Sequence, residues 1–436
     1  MKNIKSILKI NLTLLLFLYS FNLKSDDAFF ENTDQVNIFN SAVMLYNSEH
    51  FSEVVEAINQ LLAINPNIAQ AYNLRGNAYF SLAKYDLAIE DFTTAINLNQ
   101  LFPEAYRSRA ESYRSLAKYD LALNDMNKLI ELVPENSNYY FNRGILFREN
   151  SDLSHSFSDF SKAIAINPQN INALLARADV LYTLDDFSQA KIDLNEVIKL
   201  NSNSIDAHKL RGIINFRLAE FDAALKDFNT VLKIEPNEAS IFYYRGLIHL
   251  EKSEYLNALT NFNEAIKRGF TVDKNIYYNR AVVHFYLNEF DAAIADLNTY
   301  LRTNQDFHIF DLRGNIFYRQ RKFAEAVEDF SKVISAEPQR VSAILNRANS
   351  YYNLGKFEEA IADFTVAINL EPNNASSFLN RSNSFRQLNR YSEAISDSRK
   401  FLELAKNSSE FIDLIPNVKK EIEFLEYKLR ELEAEK

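Results

Sequence analysis

The feature that most limits what this chain can fold into is a period. Placing AYNLRGNAYFSLAKYDLAIEDFTTAINLN from Ala71 above AILNRANSYYNLGKFEEAIADFTVAINLE from Ala343 aligns nearly every position. Laid end to end, eleven such units begin at residues 35, 69, 103, 137, 171, 205, 239, 274, 307, 341 and 375, and run to Ser408. The spacing is 34, with one unit of 35 and one of 33. A repeat of this length is one supersecondary unit that buries its apolar face only by stacking on its neighbours. The 436 residues are therefore an array, not a domain wrapped around one core.

Columns of the array carry the local physics. Position eight is always small, from Ala42 and Gly76 to Ala348 and Ser382, and position twenty is Ala or Ser in every unit but the first, which has Val54. Small residues at fixed places let two helices approach closely while bulky neighbours fill the grooves beside them. Position seventeen is aromatic in ten units of eleven, Leu153 being the exception, and is read as a wedge in the turn between helices. Just after it stand Ser52, Asp86, Asp120, Ser154, Ser188, Asp222, Asp291 and Ser392, which are expected to cap the second helix of their units. Apolar residues recur every three or four positions and never alternate, and proline at Pro66, Pro134, Pro168, Pro236, Pro338 and Pro372 marks unit ends. Each unit reads as a helix-turn-helix hairpin.

On these residues the chain resembles the tetratricopeptide repeat family, whose 34-residue period and small-residue columns it shares. The resemblance implies an all-α fold, a right-handed superhelical α-solenoid of tandem helix-turn-helix hairpins over 35–408. Trp, frequent at position four in the family, is absent here, and Tyr72, Tyr106, Tyr140, Phe242 and others take its place.

Position seven is Arg in ten consecutive units, including Arg75, Arg211, Arg245 and Arg347. Position twenty-three answers with Asp91, Asp227, Asn261 and Asp363 in the same units. The first unit loses both members, having Ser41 and Ala57, so the two are expected to meet inside one hairpin. A constellation repeated this often is structural: a bidentate Arg–carboxylate bond is directional and fixes the register of two helices.

Nothing else in the sequence carries chemistry. The six histidines show no close spacing, cysteine is absent, and no phosphate loop or nucleophile elbow occurs. No catalytic, metal or cofactor site is expected, and the reading is non-enzymatic. A net charge of −10 and the lack of any long basic run weigh against nucleic acid.

The resemblance instead implies a surface. By analogy with the family, positions two, five, nine, twelve and thirteen line a concave groove, which here gives Asn77, Phe80, Arg114, Arg148, Tyr182, Phe216, Tyr243, Tyr278, Phe285, Asn315, Tyr318, Asn349, Tyr352 and Asn383. Asparagine bonds both groups of a peptide backbone, and tyrosine adds contact area at low entropy cost. An aromatic at position twelve can equally complete the core by packing on its neighbour. The functional reading is a scaffold or adaptor binding extended peptides or proteins, with a glycan-binding or carrier protein of the cell envelope as the alternative.

The ends differ from the array. Lys2, Lys5 and Lys9 precede an apolar run from Ile10 to Phe21, the order of a secretory signal, assigned to residues 1–25 with a linker at 26–34. The expectation is an exported protein, periplasmic or secreted, without stable membrane insertion after cleavage. An uncleaved N-terminal anchor is the competing reading. After Ser408, residues 409–436 place Val418, Ile422, Leu425, Leu429 and Leu432 on one stripe of a helix. That helix either covers the last repeat or forms a homodimer through a short coiled coil.

Overall fold

A computed structural model describes residues 30 and 32–434, apart from 272, 303–305 and 407. The leader assigned to 1–25 and the side chain of Leu432 lie outside the described residues. Every regular element is helical, and the chain divides into two compact units, 1–218 and 219–436. The first unit holds α1 (Thr33–Asn47), α2 (Phe51–Ile64), α3 (Ala69–Ser81), α4 (Tyr85–Leu98), α5 (Pro103–Ser115), α6 (Tyr119–Leu132), α7 (Ser137–Glu149), α8 (Leu153–Ile166), α9 (Ile171–Thr183), α10 (Phe187–Leu200) and α11 (Ile205–Arg217). The second holds α12 (Phe221–Ile234), α13 (Ala239–Glu251), α14 (Tyr255–Lys267), α15 (Asn275–Tyr286), α16 (Phe290–Leu301), α17 (Phe307–Arg319), α18 (Phe323–Ala336), α19 (Val341–Asn353), α20 (Phe357–Leu370), α21 (Ala375–Gln387), α22 (Tyr391–Ala405) and α23 (Ile415–Ala434). Each unit is an all-α solenoid of stacked hairpins; the sixth repeat gives α11 to one and α12 to the other.

What closes each hairpin is a backbone device that the residue types conceal. Position fifteen is left-handed in every repeat, with φ between 54° and 74°, although the residues are as varied as Glu49, Ala83, Asp185, Arg321 and Gly355. In repeat two the Lys84 N–H donates to the Tyr79 carbonyl at 2.8 Å and the Ala83 N–H to that of Phe80 at 2.9 Å. These crossed bonds satisfy the carbonyls left over at a helix end and reverse the chain straight into the next helix. Position seventeen is thus the first residue of the second helix, and the capping position is sixteen. The expected caps are corrected accordingly: Asp86 and its counterparts lie inside the first turn, and only Asp152 and Asp186, one residue before their helices, bond a backbone N–H there. An acid within the first turn still meets the positive end of the helix dipole. Asparagine does cap first helices, as Asn136, Asn170 and Asn374 show.

The core is built from a complementarity between two columns. A Cβ added at Gly76, Gly144 or Gly246 would come within 2.7, 2.7 and 2.5 Å of the ring of Phe92, Phe160 or Phe262, each fully buried at position twenty-four. Where position eight is Ala instead, the facing residue is mostly smaller: Ala42 with Ile58, Ala110 with Met126, Ala178 with Leu194, Ala281 with Leu297. In the last repeat both are serines, and Ser382 and Ser398 hydrogen-bond each other at 2.8 Å. A fully buried ring of this kind contributes on the order of 1.5–3 kcal/mol.

Stacking buries the flanks. Position ten is at most 3% exposed wherever a preceding repeat covers it, from Ala78 to Ser384, whereas Met44 in the first repeat is 67% exposed. At the other end α23 turns Val418, Ile422 and Leu425 into a cluster with Phe378, Phe385 and Phe401. Arg386 reaches Glu421 at 2.7 Å and Arg399 reaches Glu426 at 2.7 Å. The stripe on α23 is therefore packed against the last repeat. Among the described residues no helix is long and apolar enough to cross a membrane.

Candidate functional site

The repeated arginine is a three-way joint. Arg75 donates from Nε and Nη2 to the two carboxylate oxygens of Asp91 at 2.8 and 2.7 Å, and from Nη1 to Asn59 in the preceding repeat at 2.5 Å. Arg347 does the same to Asp363 at 2.8 Å for both bonds and to Ser331 at 3.2 Å. Position twenty-five, which supplies the third partner, is Asn, Ser or Thr in ten repeats and Arg399 in the last. Arg211 keeps that bond, to Asn195 at 2.5 Å; it lies in the first unit and Asp227 in the second. Hydrogen bonding to Asp91 holds the Arg75 guanidinium above its ordinary pKa, with burial opposing. Burial lifts Asp91 above the ordinary carboxylate range, with Arg75 opposing. The two directions disagree on whether the pair is favourable as ions; desolvation and pairing largely offset, and what the bidentate geometry adds is direction.

Repeat seven departs from the plan. Asn261 turns its amide to the Asn257 carbonyl at 2.8 Å, and Arg245 Nε is buried without a partner. Burial alone lowers the Arg245 pKa. The pair expected between Arg245 and Asn261 is not made, because an amide cannot offer two acceptor oxygens to the guanidinium fork.

Within each unit the first helices of neighbouring repeats, such as α3 and α5 or α17 and α19, approach more closely than the second helices do. The first-helix side is thus the inner side of the stacking, and the predicted binding residues occupy it. Several are already engaged. The rings of Phe80, Tyr182, Phe285, Tyr318 and Tyr352 lie 5.4–6.2 Å from the aromatic that opens the following helix, as the core-completing reading of position twelve anticipates. Arg114 is bidentate to Glu149 of the next repeat at 2.8 and 2.6 Å, and Arg148 reaches Asp179 at 3.1 Å. Tyr243 is only 8% exposed; it stacks on Phe270 at 4.7 Å, accepts from Asn279, and burial pushes its hydroxyl pKa up to about 12. Tyr243 is therefore a core residue. Tyr278 lies 6.4 Å from Tyr300, and Phe216 is half-buried on α11.

What remains on that side is asparagine. Asn315 accepts from Asn346 at 2.9 Å and Asn349 accepts from Asn380 at 3.2 Å, one link per repeat. Asn77 and Asn383 sit half-exposed at the same position in repeats two and eleven. No three His, Asp or Glu side chains gather to hold a metal ion among the described residues.

The turn edge of the hairpins carries polar contacts of its own. His249 and His284, which share a column, donate from Nδ1 to the carboxylates of Glu254 and Glu289 at 2.7 and 2.6 Å and brace their own turns. The acids first read as caps take part in links between repeats: Lys118 reaches Asp86 at 3.5 Å, Lys252 reaches Asp222 at 3.3 Å, and Gln320 reaches Asp291 at 3.0 Å.

Comparison with known proteins agrees with this geometry. Models of the tetratricopeptide repeat match residues 69–100, 107–171, 171–204 and, in overlapping stretches, 216–408. A 62-residue stretch is 39% identical to DnaJ homolog subfamily C member 3 of Gallus gallus, covering 14% of this chain and 12% of that protein. A tetratricopeptide repeat protein from Parabacteroides merdae is 19% identical over 58% of this chain and 99% of its own, with a TM-score of 0.42. The C-terminal part of a repeat protein from Cytophaga hutchinsonii is 16% identical over 55% of this chain and 98% of its own, with a TM-score of 0.50.

Proposed function

Because the chain belongs to the tetratricopeptide repeat family, we propose that it is a non-enzymatic scaffold that docks an extended peptide or protein segment along its first-helix face. The family's fold supports protein–protein interaction in general. One observation picks out the segment of that face: the asparagine links of repeats nine to eleven, Asn346 to Asn315 and Asn380 to Asn349, leading to Asn383. These amides stand at a regular one-per-repeat spacing on half-exposed positions. Each can exchange its neighbour for a peptide N–H or carbonyl without stranding a buried group. The aromatic rings do not favour the glycan reading, since those at position twelve lie against the next helix.

Export is part of the proposal and rests on the lysine and apolar order of residues 1–25. Sequencing the N-terminus of the protein recovered from cell fractions tests it: a start beyond residue 1 in an extracytoplasmic fraction supports export, and an intact start in the cytoplasm refutes it. For the docking face, photo-crosslinking residues would be placed at Asn349 and Asn383 and, as controls, at the exposed Val366 and the half-exposed Lys400 of second helices. Adducts from the first pair and not the second support the reading; adducts from the controls alone overturn it.

A further inference from the structure

The residue before each second helix lies on the exposed edge of the hairpins, beside the left-handed turn. In the second unit this column reads Glu220, Glu254, Glu289, Lys322, Lys356 and Arg390, three acids and then three bases, one per repeat. The side chains are open to solvent: Glu254 38%, Glu289 49%, Lys322 44% and Arg390 41%, and Lys356 is exposed as well. Local contacts hold them in place without covering them. Glu254 meets His249, Glu289 meets His284, Lys322 lies 3.6 Å from Asp291, and Arg390 touches Glu358 and Glu393.

A row of charges that changes sign once, at its centre, is complementary to itself when a second row is laid against it in the opposite direction. About a two-fold axis between repeats eight and nine, Glu289 faces Lys322 of the other copy, Glu254 faces Lys356 and Glu220 faces Arg390, and symmetry makes each match twice. The same operation brings repeat seven, where Leu256 is 69% exposed, opposite repeat ten, where Leu354 is 39% exposed. Apolar area thus lies beside the charges. We propose that this edge of the second unit is an interface with a second copy of the chain, docked antiparallel and directed by the two charge blocks. The first unit has a shorter version, Lys84 and Lys118 followed by Asp152 and Asp186, but both aspartates accept the backbone N–H of their own helices. The α23 seam does not compete, since its apolar stripe packs on the last repeat.

Sedimentation velocity on the full chain tests this. The wild-type protein is expected to dimerise at about 20 mM salt, with association at least about tenfold weaker at about 500 mM, where screening shortens the reach of exposed charges to a few ångströms. Two charge-reversed variants sharpen it: Glu220→Lys with Glu254→Lys and Glu289→Lys makes the row wholly basic, and Lys322→Glu with Lys356→Glu and Arg390→Glu makes it wholly acidic. Each should be monomeric alone, with helix content unchanged by circular dichroism, and an equal mixture should form a heterodimer. A monomeric wild type at both salt concentrations overturns the proposal, as does self-association of either variant at wild-type strength. A mixture of folded variants that stays monomeric also overturns it, and would assign the edge to some other protein of matching charge.

Discussion

In repeat four, α7 and α8 are locked by Arg143, which holds both oxygens of Asp159 at 2.7 Å and reaches back to Asn127. In repeat seven the same arginine, Arg245, has no carboxylate, and α13 is held from the other end. Arg268 lies 4.3 Å over the ring of Phe242, and Phe270 stacks on Tyr243. Repeat seven is the 35-residue unit, and Gly269 between those two side chains has φ 86° with open space around it. The extra residue and the left-handed glycine return the chain over α13, a path closed to most other residues. The contrast teaches that the ion pair is one way among several of fixing two helices in register. The left-handed turn and the ring packed on glycine are common to both repeats.

Removing the arginines separates the two designs most strongly. Arg143→Leu strands the buried Asp159 and is expected to lower the local opening free energy by about 3–5 kcal/mol, whereas Arg245→Leu should fall within about 1 kcal/mol of no effect. Hydrogen exchange of α7 and α13 amides reads this; equal losses would mean that the aromatic contacts do not substitute for the pair.

The shared wall comes next. Gly144→Ala and Gly246→Ala should each cost about 1–3 kcal/mol, because the new methyl meets a buried ring in both repeats. Phe160→Leu should recover part of the first loss, since Ala178 and Leu194 already coexist in repeat five. Tolerance at Gly246 alone would show repeat seven to be the looser hairpin.

Asn261→Asp supplies the missing carboxylate and is expected to stabilise repeat seven by about 1 kcal/mol, burial offsetting part of the new bonds. A loss instead would show that the aromatic clamp has moved Arg245 out of register. The smallest effect is expected at position fifteen, which is serine in both repeats, with φ 64° at Ser151 and 58° at Ser253. Ser151→Gly and Ser253→Gly should each raise thermal stability by at most about 1 kcal/mol, and equally, because glycine takes this conformation without strain but loses more chain entropy.

Much of this was legible in the sequence because repetition turns each column into an experiment done eleven times. The period, the hairpin and the small columns follow from spacing alone. The pairing of Arg75 with Asp91 follows from their joint absence in the first repeat. The third bond of the arginine was also readable, since position twenty-five runs Asn59, Thr93, Asn127, Ser161 and onward without an apolar residue. So was the rule that glycine at position eight faces phenylalanine sixteen residues later. The turn was not, because a left-handed residue fixed by the helix-end bonds tolerates Glu49 or Arg321 as readily as Gly355. Caps were misplaced by two residues for the same reason. On the candidate face, Tyr243 and Tyr318 looked alike in sequence, yet one is buried by a loop unique to its repeat and the other is not.

Arg399, the one basic residue in the position-twenty-five column, turns an acceptor into a donor and closes on α23. The interior joints, repeat seven excepted, present the same socket on one side and the same plug on the other. A gene that gains or loses an interior copy in whole modules therefore yields a chain whose new seam is already chemically matched, while growth at the carboxyl end would have to replace that final plug. Length in such an array is adjustable from the middle, while its last joint stays fixed.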